Sequence, residues 1–513
     1  MQFLPEIDDF DSLYVSGAPQ VVWTSLLADL ETPVSAMLKI AKGRPNSFLL
    51  ESVEGGAIRG RYSFIGLDPD LIWRCHGNKA EINRTVSQEA TSFLPCPVAT
   101  KDGVIESLRS LIAESRIELP SSLPPMASGL FGYMGYDTIR LIENIPNNNP
   151  DILKVPDGMF IRPQVIAVFD TIEDVMTIVT PVWPTEELSA SQARAQAENR
   201  LQDIIEDFNQ SVPQQHSHAQ SGQQLPMPVS NTGREGFYEM VEKAKEYIRA
   251  GDAFQIVPSQ RFTVPFDLPP FSLYRSLRRL NPSPFLFFMD FGDFSIVGSS
   301  PEILVRVRDG QVTIRPLAGT RRRGKTPEED KALAEELLAD PKELAEHLML
   351  LDLGRNDVGR VAKVGTVEVT AKMNVEYYSH VMHIASNVIG ELDTDRFDAM
   401  QALFAGFPAG TVSGAPKVRA MEIIDELEPE KRSIYGGCIG YIGANGDMDT
   451  CIALRTSVIK DNILYVQSGV GVVADSDPET EYNESTDKAR ALIRAAEEAV
   501  KFAQPSNRQT RQI

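Results

Sequence analysis

Cysteine is scarce: Cys75, Cys96, Cys438 and Cys451 are the only four in 513 residues, and no two form a CxxC pair. That argues against a zinc ribbon or a disulfide framework and for a reducing cytosol. Long apolar runs are also missing. None approaches the roughly 18 residues a spanning helix needs, and the N-terminal MQFLPEIDDF is acidic where a secretion signal would be basic and then apolar. The sequence therefore predicts a cytoplasmic protein, neither inserted in a membrane nor exported. Basic residues are outnumbered, 50 Lys and Arg against 71 Asp and Glu, and the net charge of -21 repels nucleic acid at long range. An anionic substrate must then meet a local basic pocket or a bound cation that reverses the field.

The rest of the composition is that of a globular protein: 42% hydrophobic, 24% charged, with 35 Gly and 34 Pro, which excludes collagenous and wholly disordered chains. The length exceeds what one core supports, so two lobes or one large elaborated unit are expected. The clearest break is 209–233, NQSVPQQHSHAQSGQQLPMPVSNTG, a Gln-, Ser- and Pro-rich linker. Its His216 and His218 lack acidic or Cys neighbours and read as loop rather than as a metal tract. Residues 1–208 form a β-rich lobe, with strands at SFLLESV, RYSFIG, PDLIWRC, QVIAVFD and VMTIVT and helices over 104–115 and 186–208. The second lobe, 234–502, opens with a helix over 234–250 stopped by Gly251 and continues with strands at FLFFMDF, SIVGSS, LVRVR and VTIRPL. Thr326 before Pro327 and Asp340 before Pro341 mark two helix starts, the second helix spanning 341–353. GCIGYIGA, TCIALRTSVI and ILYVQSGVGVV are read as strands, a helix covers 479–502, and 503–513 reads as a flexible tail.

Two E-x-x-E segments stand out, Glu343 with Glu346 and Glu481 with Glu484. Residues three apart share a helical face, so each segment projects two carboxylates one way. If the two helices face each other, four acidic groups converge and repel unless a cation sits among them, and hard oxygen donors favour magnesium. Two solvated helix faces are the other reading. A bridged di-iron site is excluded, because it needs Glu three residues before His347 and Leu344 is there.

GVGVVA at 469–474 imitates a dinucleotide fingerprint, but the acidic ADSDPETE that follows makes a poor pyrophosphate site. AGTVSGAPKV imitates a P-loop, yet Pro416 precedes Lys417 and no Ser or Thr follows it. NAD and ATP binding are both rejected, although such loops can still turn backbone N–H groups toward a carboxylate. Basic residues cluster in the same half: Arg321, Arg322, Arg323, Lys325, Arg355, Lys417, Arg419, Arg455 and Lys488. Arg455, inside the apolar run CIALRTSVI, is costly to bury unpaired and is the best carboxylate clamp among them. His383 is either a satisfied core histidine or a general base.

At these same residues the chain resembles the chorismate-utilising enzymes, and within them the large subunits of anthranilate synthase. The matching segments are LLESVEGGAIRGRYSFIG, GDAFQIVPSQRF, NPSPFLFFMDF, SSPEILV, PLAGTRRRG, ELAEHLMLLDLGRNDVGRVA, HVMHIASNVIG, FPAGTVSGAPKVRAMEII, YGGCIGYIG, CIALRT and QSGVGVVADSDPETEYNES. They cover 49–66 and most of 234–500, in one order.

The resemblance implies a two-lobed α+β fold with antiparallel sheets and surrounding helices. It implies that chorismate is aminated at C2 and then loses pyruvate to give anthranilate, the first step of tryptophan synthesis. It implies magnesium, held by Glu346 and Glu484 with Glu343 and Glu481 helping directly or through water. Gly319, Thr320, Thr411, Tyr435, Arg455, Gly469, Val470, Gly471 and Lys488 would hold the substrate. Glu302 in SSPE becomes the general-acid candidate for the departing C4 hydroxyl, where a raised pKa would suit it. His383 becomes the candidate for positioning or accepting the C2 proton.

Two positions discriminate among relatives by the same resemblance. Water-adding members carry a lysine where this chain has Gln255, and an amide is no base. Aminodeoxychorismate synthases place a lysine nucleophile where PLAGT has Ala318. Ser52 in LLES and Pro284, Phe285 and Leu286 in NPSPF resemble the family's tryptophan feedback pocket; an ordinary strand end on a proline turn is the plainer reading. No glutaminase segment is present, which implies a separate glutamine amidotransferase that supplies ammonia and a heterotetramer of two large and two small subunits. The alternatives are aminodeoxychorismate synthase component I and, from another class, a catalytically silent tryptophan-binding regulator.

Overall fold

The computed structural model describes residues 2–54, 58–86, 92–213, 224–378 and 381–503. Within the 209–233 linker, 214–223 with His216 and His218, and all but the first residue of the 503–513 tail, lie outside the described residues.

The fold is α+β, and every strand pairing is antiparallel. Its centre is the long strand Ile58–His76, which unites RYSFIG and PDLIWRC and pairs with Ser47–Glu54 on one side and Gly158–Asp170 on the other. Two arms of sheet diverge from it. The first runs from Ser47–Glu54 through Phe285–Asp290, Phe294–Ser300, Thr456–Lys460 and Ile463–Gly469 to Ser259–Pro265. The second runs from Gly158–Asp170 through Gly129–Met134, Cys438–Gly443, Met448–Ile452, Ile303–Arg308 and Gln311–Ile314 to Val381–Glu391. Strands from both sides of the 209–233 linker thus pair directly, Ser47–Glu54 with Phe285–Asp290 and Gly129–Met134 with Cys438–Gly443.

The arms share an apolar cluster that includes Phe48, Phe64, Phe131, Tyr133, Phe287 and Tyr441. Helices Pro270–Leu280 and Pro478–Ala503 bury their apolar faces on the first arm, Val104–Glu114, Pro341–Gly359 and Ala399–Gly406 on the second, and Ala190–Phe208 on Val175–Val182 and Gln20–Leu27, which extend the sheet from Gly158–Asp170. Because both faces of a strand such as Phe285–Asp290 are covered, it reads as a continuous apolar run rather than an alternating one. Among the described residues no helix is long and apolar enough to cross a membrane.

Both proline-marked helix starts are present. Thr326 accepts from the Glu329 N–H at 3.2 Å, and Asp340 from the Lys342 N–H at 3.0 Å. Helix boundaries differ where a local signal was misread. The helix expected over 186–208 begins at Ala190, because Ser189 and Gln192 form a capping box. The helix expected to end at residue 353 runs on to Gly359: Gly354 is buried within it against Ile314, Pro316 and Val388, and does not act as a stop. The strand Glu368–Tyr377 was not foreseen, since it alternates between exposed and half-buried positions and carries no apolar stripe.

Candidate active site

The segment Ser300–Glu302 leaves strand Phe294–Ser300 and turns Glu302 into the interior, where it is 4% exposed. Its Oε1 accepts from the Thr411 hydroxyl at 2.9 Å and from the Leu317 N–H at 3.3 Å. Burial pushes its pKa up to about 8, against the lowering effect of those two donors. The carboxyl is therefore protonated at neutral pH. With Oε1 taken as acceptor twice, Oε2 is the oxygen left to carry the proton.

His383 lies on Val381–Glu391, in register with Thr320 on the neighbouring strand Leu317–Arg322. Its Nδ1 is 3.0 Å from the Thr320 hydroxyl and 3.2 Å from the Gly319 carbonyl. A carbonyl only accepts, so Nδ1 bears the hydrogen and Nε2 keeps a free lone pair. Burial lowers its pKa to about 4, with Arg455 and Lys488 acting in the same direction. The imidazole is neutral at pH 7. Gly319 itself sits at φ +79, and a Cβ there would stand 3.2 Å from Glu343 Oε2. One strand thus ties the two groups together: Leu317 holds Glu302, while Gly319 and Thr320 hold His383.

The two E-x-x-E segments come within electrostatic reach of each other. Glu346 is held above the ordinary carboxylate range by burial, and Glu343 and Glu484 push it further up while Gln255 and Lys488 oppose. Glu481 is raised by burial and by Glu484. Carboxylates that raise one another, all with oxygen donors, suit a hard divalent cation. Gln255 donates from Nε2 to Glu346 at 2.9 Å and leaves its buried Oε1 without a partner, one further neutral oxygen beside the acidic group. A side chain at Gly471 would end that contact, since its Cβ would fall 2.4 Å from Gln255 Nε2. Among the described residues no three His, Cys, Asp or Glu side chains are gathered as a metal shell. Instead Arg321 takes Glu343 at 2.9 Å and Lys488 takes Glu484 at 2.8 Å.

The rest of the cleft is basic and glycine-lined. Arg455 does not lie inside a strand as expected. The run CIALRTSVI breaks between Met448–Ile452 and Thr456–Lys460, and Arg455 occupies the break at φ +50, an unusual conformation for a residue with a side chain. It has no salt bridge among the described residues, and burial lowers its pKa, with Tyr435 and Glu484 opposing. The Tyr435 hydroxyl meets the Gly469 backbone, and Lys488 Nζ donates to the Gly469 carbonyl at 3.1 Å. The Val470 side chain is turned away from the cleft: it packs among Phe237, Ile256 and Val472, and its N–H donates to the Pro258 carbonyl at 3.2 Å. Most other clustered cations are taken: Arg323 by Asp330, Lys417 by Asp357, Arg419 by Asp252 and Arg355 by Asp352. After Gly471 the chain makes a bridge at Val472 and starts a helix only at Pro478, unlike a dinucleotide-binding turn.

Ser52, Pro284, Phe285 and Leu286 line a separate cavity of about 690 Å³ between the two sheet arms. Phe285 and Ser52 are directly opposed in neighbouring strands. Glu51, Arg61, Tyr441 and Tyr378 also line it and were not foreseen. Glu51 is fixed by Arg278 at 2.8 Å and by the Tyr274 hydroxyl. Tyr378 stands five residues before His383, and that spacing across a hairpin is the only sequence signal that could have paired them.

The chorismate binding enzyme family matches residues 67–494. Anthranilate synthase component 1 of Cereibacter sphaeroides is 59% identical over 500 residues, which cover 98% of this chain and 99% of that protein. Anthranilate synthase component 1 of Pseudomonas putida is 49% identical over 473 residues, covering 91% and 93%. The crystal structure of anthranilate synthase component I from Streptococcus pneumoniae TIGR4 superposes with a TM-score of 0.73 at 38% identity, covering 85% of this chain and 92% of that one. The chain belongs to the chorismate binding enzyme family, among its anthranilate synthase component 1 members.

Proposed function

We propose that the chain is the large subunit of an anthranilate synthase, a magnesium-dependent lyase that converts chorismate and ammonia to anthranilate and pyruvate at the first step of tryptophan synthesis. The observation that carries this reading is a neutral carboxyl, Glu302, held by the same strand as a neutral imidazole, His383. Those are the protonation states an acid and a base need at the start of the reaction.

Arg455, with no carboxylate partner among the described residues, takes a carboxylate of chorismate. Tyr435, Thr411, Thr320 and Lys488, with the backbone at Gly319, Gly469 and Gly471, surround the ring. Glu302 gives its proton to the C4 hydroxyl, whose C–O bond breaks to release water as ammonia bonds to C2. The proton shed by the added ammonia replaces the one Glu302 gave; His383 Nε2 then accepts the C2 proton as the C–O bond of the enolpyruvyl ether breaks, and that proton passes to the methylene carbon of the departing enolpyruvate, which leaves as pyruvate. Glu346 and Glu484 would hold magnesium, with Glu343 and Glu481 helping directly or through water; the bound ion supplies positive charge for the second substrate carboxylate. Gln255 sits where water-adding relatives have a lysine, and neutral ammonia needs no base to activate it. Ala318 offers no nucleophile for a covalent adduct.

A separate glutamine amidotransferase supplies the ammonia, in a heterotetramer of two large and two small subunits in the cytoplasm. The cavity at Ser52 takes L-tryptophan as feedback inhibitor: an apolar wall of Pro284, Phe285 and Leu286 beside Glu51, Ser52 and Arg61 suits an aromatic amino acid.

The test mixes purified chain, chorismate, ammonium at alkaline pH and magnesium, following anthranilate fluorescence and pyruvate together, with and without tryptophan. Equal formation of both products, stopped by chelator and suppressed by tryptophan, is expected. Chorismate loss without pyruvate would assign the chain to the aminodeoxychorismate synthases, and tryptophan binding without any turnover would make it a silent regulator.

A further inference from the structure

The cavity and the proton-transfer groups are separated by a wall one residue thick. Pro301 and Ile303 line the cavity, while Glu302 between them points to the other side, toward Thr411 and Leu317. Tyr378 completes the wall. It lines the cavity, is 6% exposed, and sets its ring edge-on against the His383 imidazole, with centroids 5.4 Å apart and planes at 68°. On the cavity side its hydroxyl donates to Glu376 at 3.1 Å, and Glu376 is paired with Arg315; both line the same cavity. Its backbone N–H donates to the Val381 carbonyl at 2.8 Å, two residues before His383.

We propose that Tyr378 is a positioning residue for His383 and that, with Pro301 and Ile303, it forms the wall through which a ligand in the cavity acts on both proton-transfer groups. This rests on the reading of His383 and of the cavity given above. An edge-on aromatic contact fixes the plane of the imidazole, and a ring that turns or shifts by a fraction of an ångström misdirects Nε2. A ligand that packs against Tyr378 or draws Arg315 away from Glu376 changes the support under that ring. The same ligand presses on the two residues that hold Glu302 in place. The coupling is local and needs no relative motion of large parts of the molecule.

The groups facing His383 fix the sign of the effect. Arg455 and Lys488 disfavour its charged form, and Gly319 and Thr320 hold Nδ1. Glu376 is its register partner on the adjacent strand, Glu343 lies beyond Gly319, and Glu302 acts on Tyr378 from the far side of the wall. Tyr378 itself shields the ring from the cavity. Removing that ring admits water and lets the imidazole move back toward an ordinary histidine pKa, about 6.5.

The experiment uses the full chain with carbon-13-labelled histidine, His383 being assigned with His383→Asn. In the native protein its signals stay neutral down to pH 5. In Tyr378→Leu the midpoint rises by at least one pH unit, kcat falls about tenfold, and KM for chorismate changes less than twofold. Tyr378→Phe keeps the ring and returns the midpoint to the native position. L-tryptophan is the probe for the cavity: bound according to calorimetry, it shifts the His383 signals of the native protein but not those of Tyr378→Leu. A native titration midpoint in Tyr378→Leu would overturn the positioning role. Tryptophan that binds while leaving the native His383 signals unmoved would overturn the coupling, a measurement that needs no variant to fold. If calorimetry shows no tryptophan binding at all, the ligand assigned to the cavity is wrong and the coupling falls with it, while the Tyr378→Leu titration still decides the positioning role.

Discussion

The Thr411 hydroxyl donates to Glu302 at 2.9 Å, and this bond is the larger of the two restraints on a carboxyl that burial pushes up to about 8. A donor to the carboxylate favours its charged form, so removing it raises the pKa further. Thr411→Val is expected to move the alkaline limb of kcat/KM for chorismate, measured at saturating ammonia, from near pH 8 to higher pH. A limb that stays in place would show that Thr411 does not act on Glu302.

Glu302 also makes stability depend on pH. Its folded pKa, about 8, lies above the ordinary value of 4.5, so between those values the native state holds a proton that the unfolded chain has released. The stabilising contribution is complete below pH 4.5 and is lost as pH rises toward and through 8. Glu302→Gln keeps the shape and cannot ionise. Its melting temperature should exceed that of the native protein above pH 8 and match it at pH 5, while kcat falls roughly 10²- to 10⁴-fold. Calorimetric melting across that pH range checks the first part and initial rates the second.

Glu346 is raised by burial and by Glu343 and Glu484, so protons compete with a cation for it more strongly than for an ordinary carboxylate. Magnesium affinity should therefore weaken as pH falls, and Glu346→Gln should weaken it by at least about 100-fold, beyond what loss of an outer-shell partner costs. Titration calorimetry at pH 6 and pH 8 measures both effects.

Arg455 combines a strained backbone with a half-buried charge that has no salt bridge among the described residues. Such a group costs stability and is retained for what it binds. Arg455→Met should melt at a higher temperature than the native protein while KM for chorismate rises at least tenfold. Thermal melting and steady-state kinetics on one preparation test the pair of expectations together.

Ser52 donates to the Tyr62 carbonyl at 3.3 Å and leaves its hydroxyl at the cavity surface. Ser52→Val removes a polar contact and adds bulk there, so the tryptophan concentration that halves anthranilate formation should rise about tenfold.

Much of the site was legible because it rests on local spacing. The i, i+3 carboxylates had to share helix faces, and the Asp340–Pro341 cap places one of those helices correctly. What the sequence hides is the environment of each group. Glu302 owes its protonation to burial, against the opposing hydrogen bonds from Leu317 and from Thr411, 109 residues away, and nothing in SSPE shows that environment. The family resemblance places Val470 at the substrate, whereas an apolar cluster around Phe237 claims its side chain. The strand Glu368–Tyr377 was missed because it is half-exposed, and with it went the setting of Tyr378. Arg455 was read as part of a strand because the break after Ile452 carries no Gly or Pro to mark it. The two-lobe division by composition gives no hint that strands on either side of 209–233 pair directly.

Protonation of Glu302 at neutral pH is the condition on which the proposed chemistry depends most. Infrared difference spectra of the native protein minus Glu302→Gln at pH 7 measure it directly. A carboxylic-acid carbonyl band that is present in the native protein, and that titrates away near pH 8, is the expected result. A carboxylate band in its place at pH 7 would mean that Glu302 holds no proton to give, and the acid step assigned to it would be wrong.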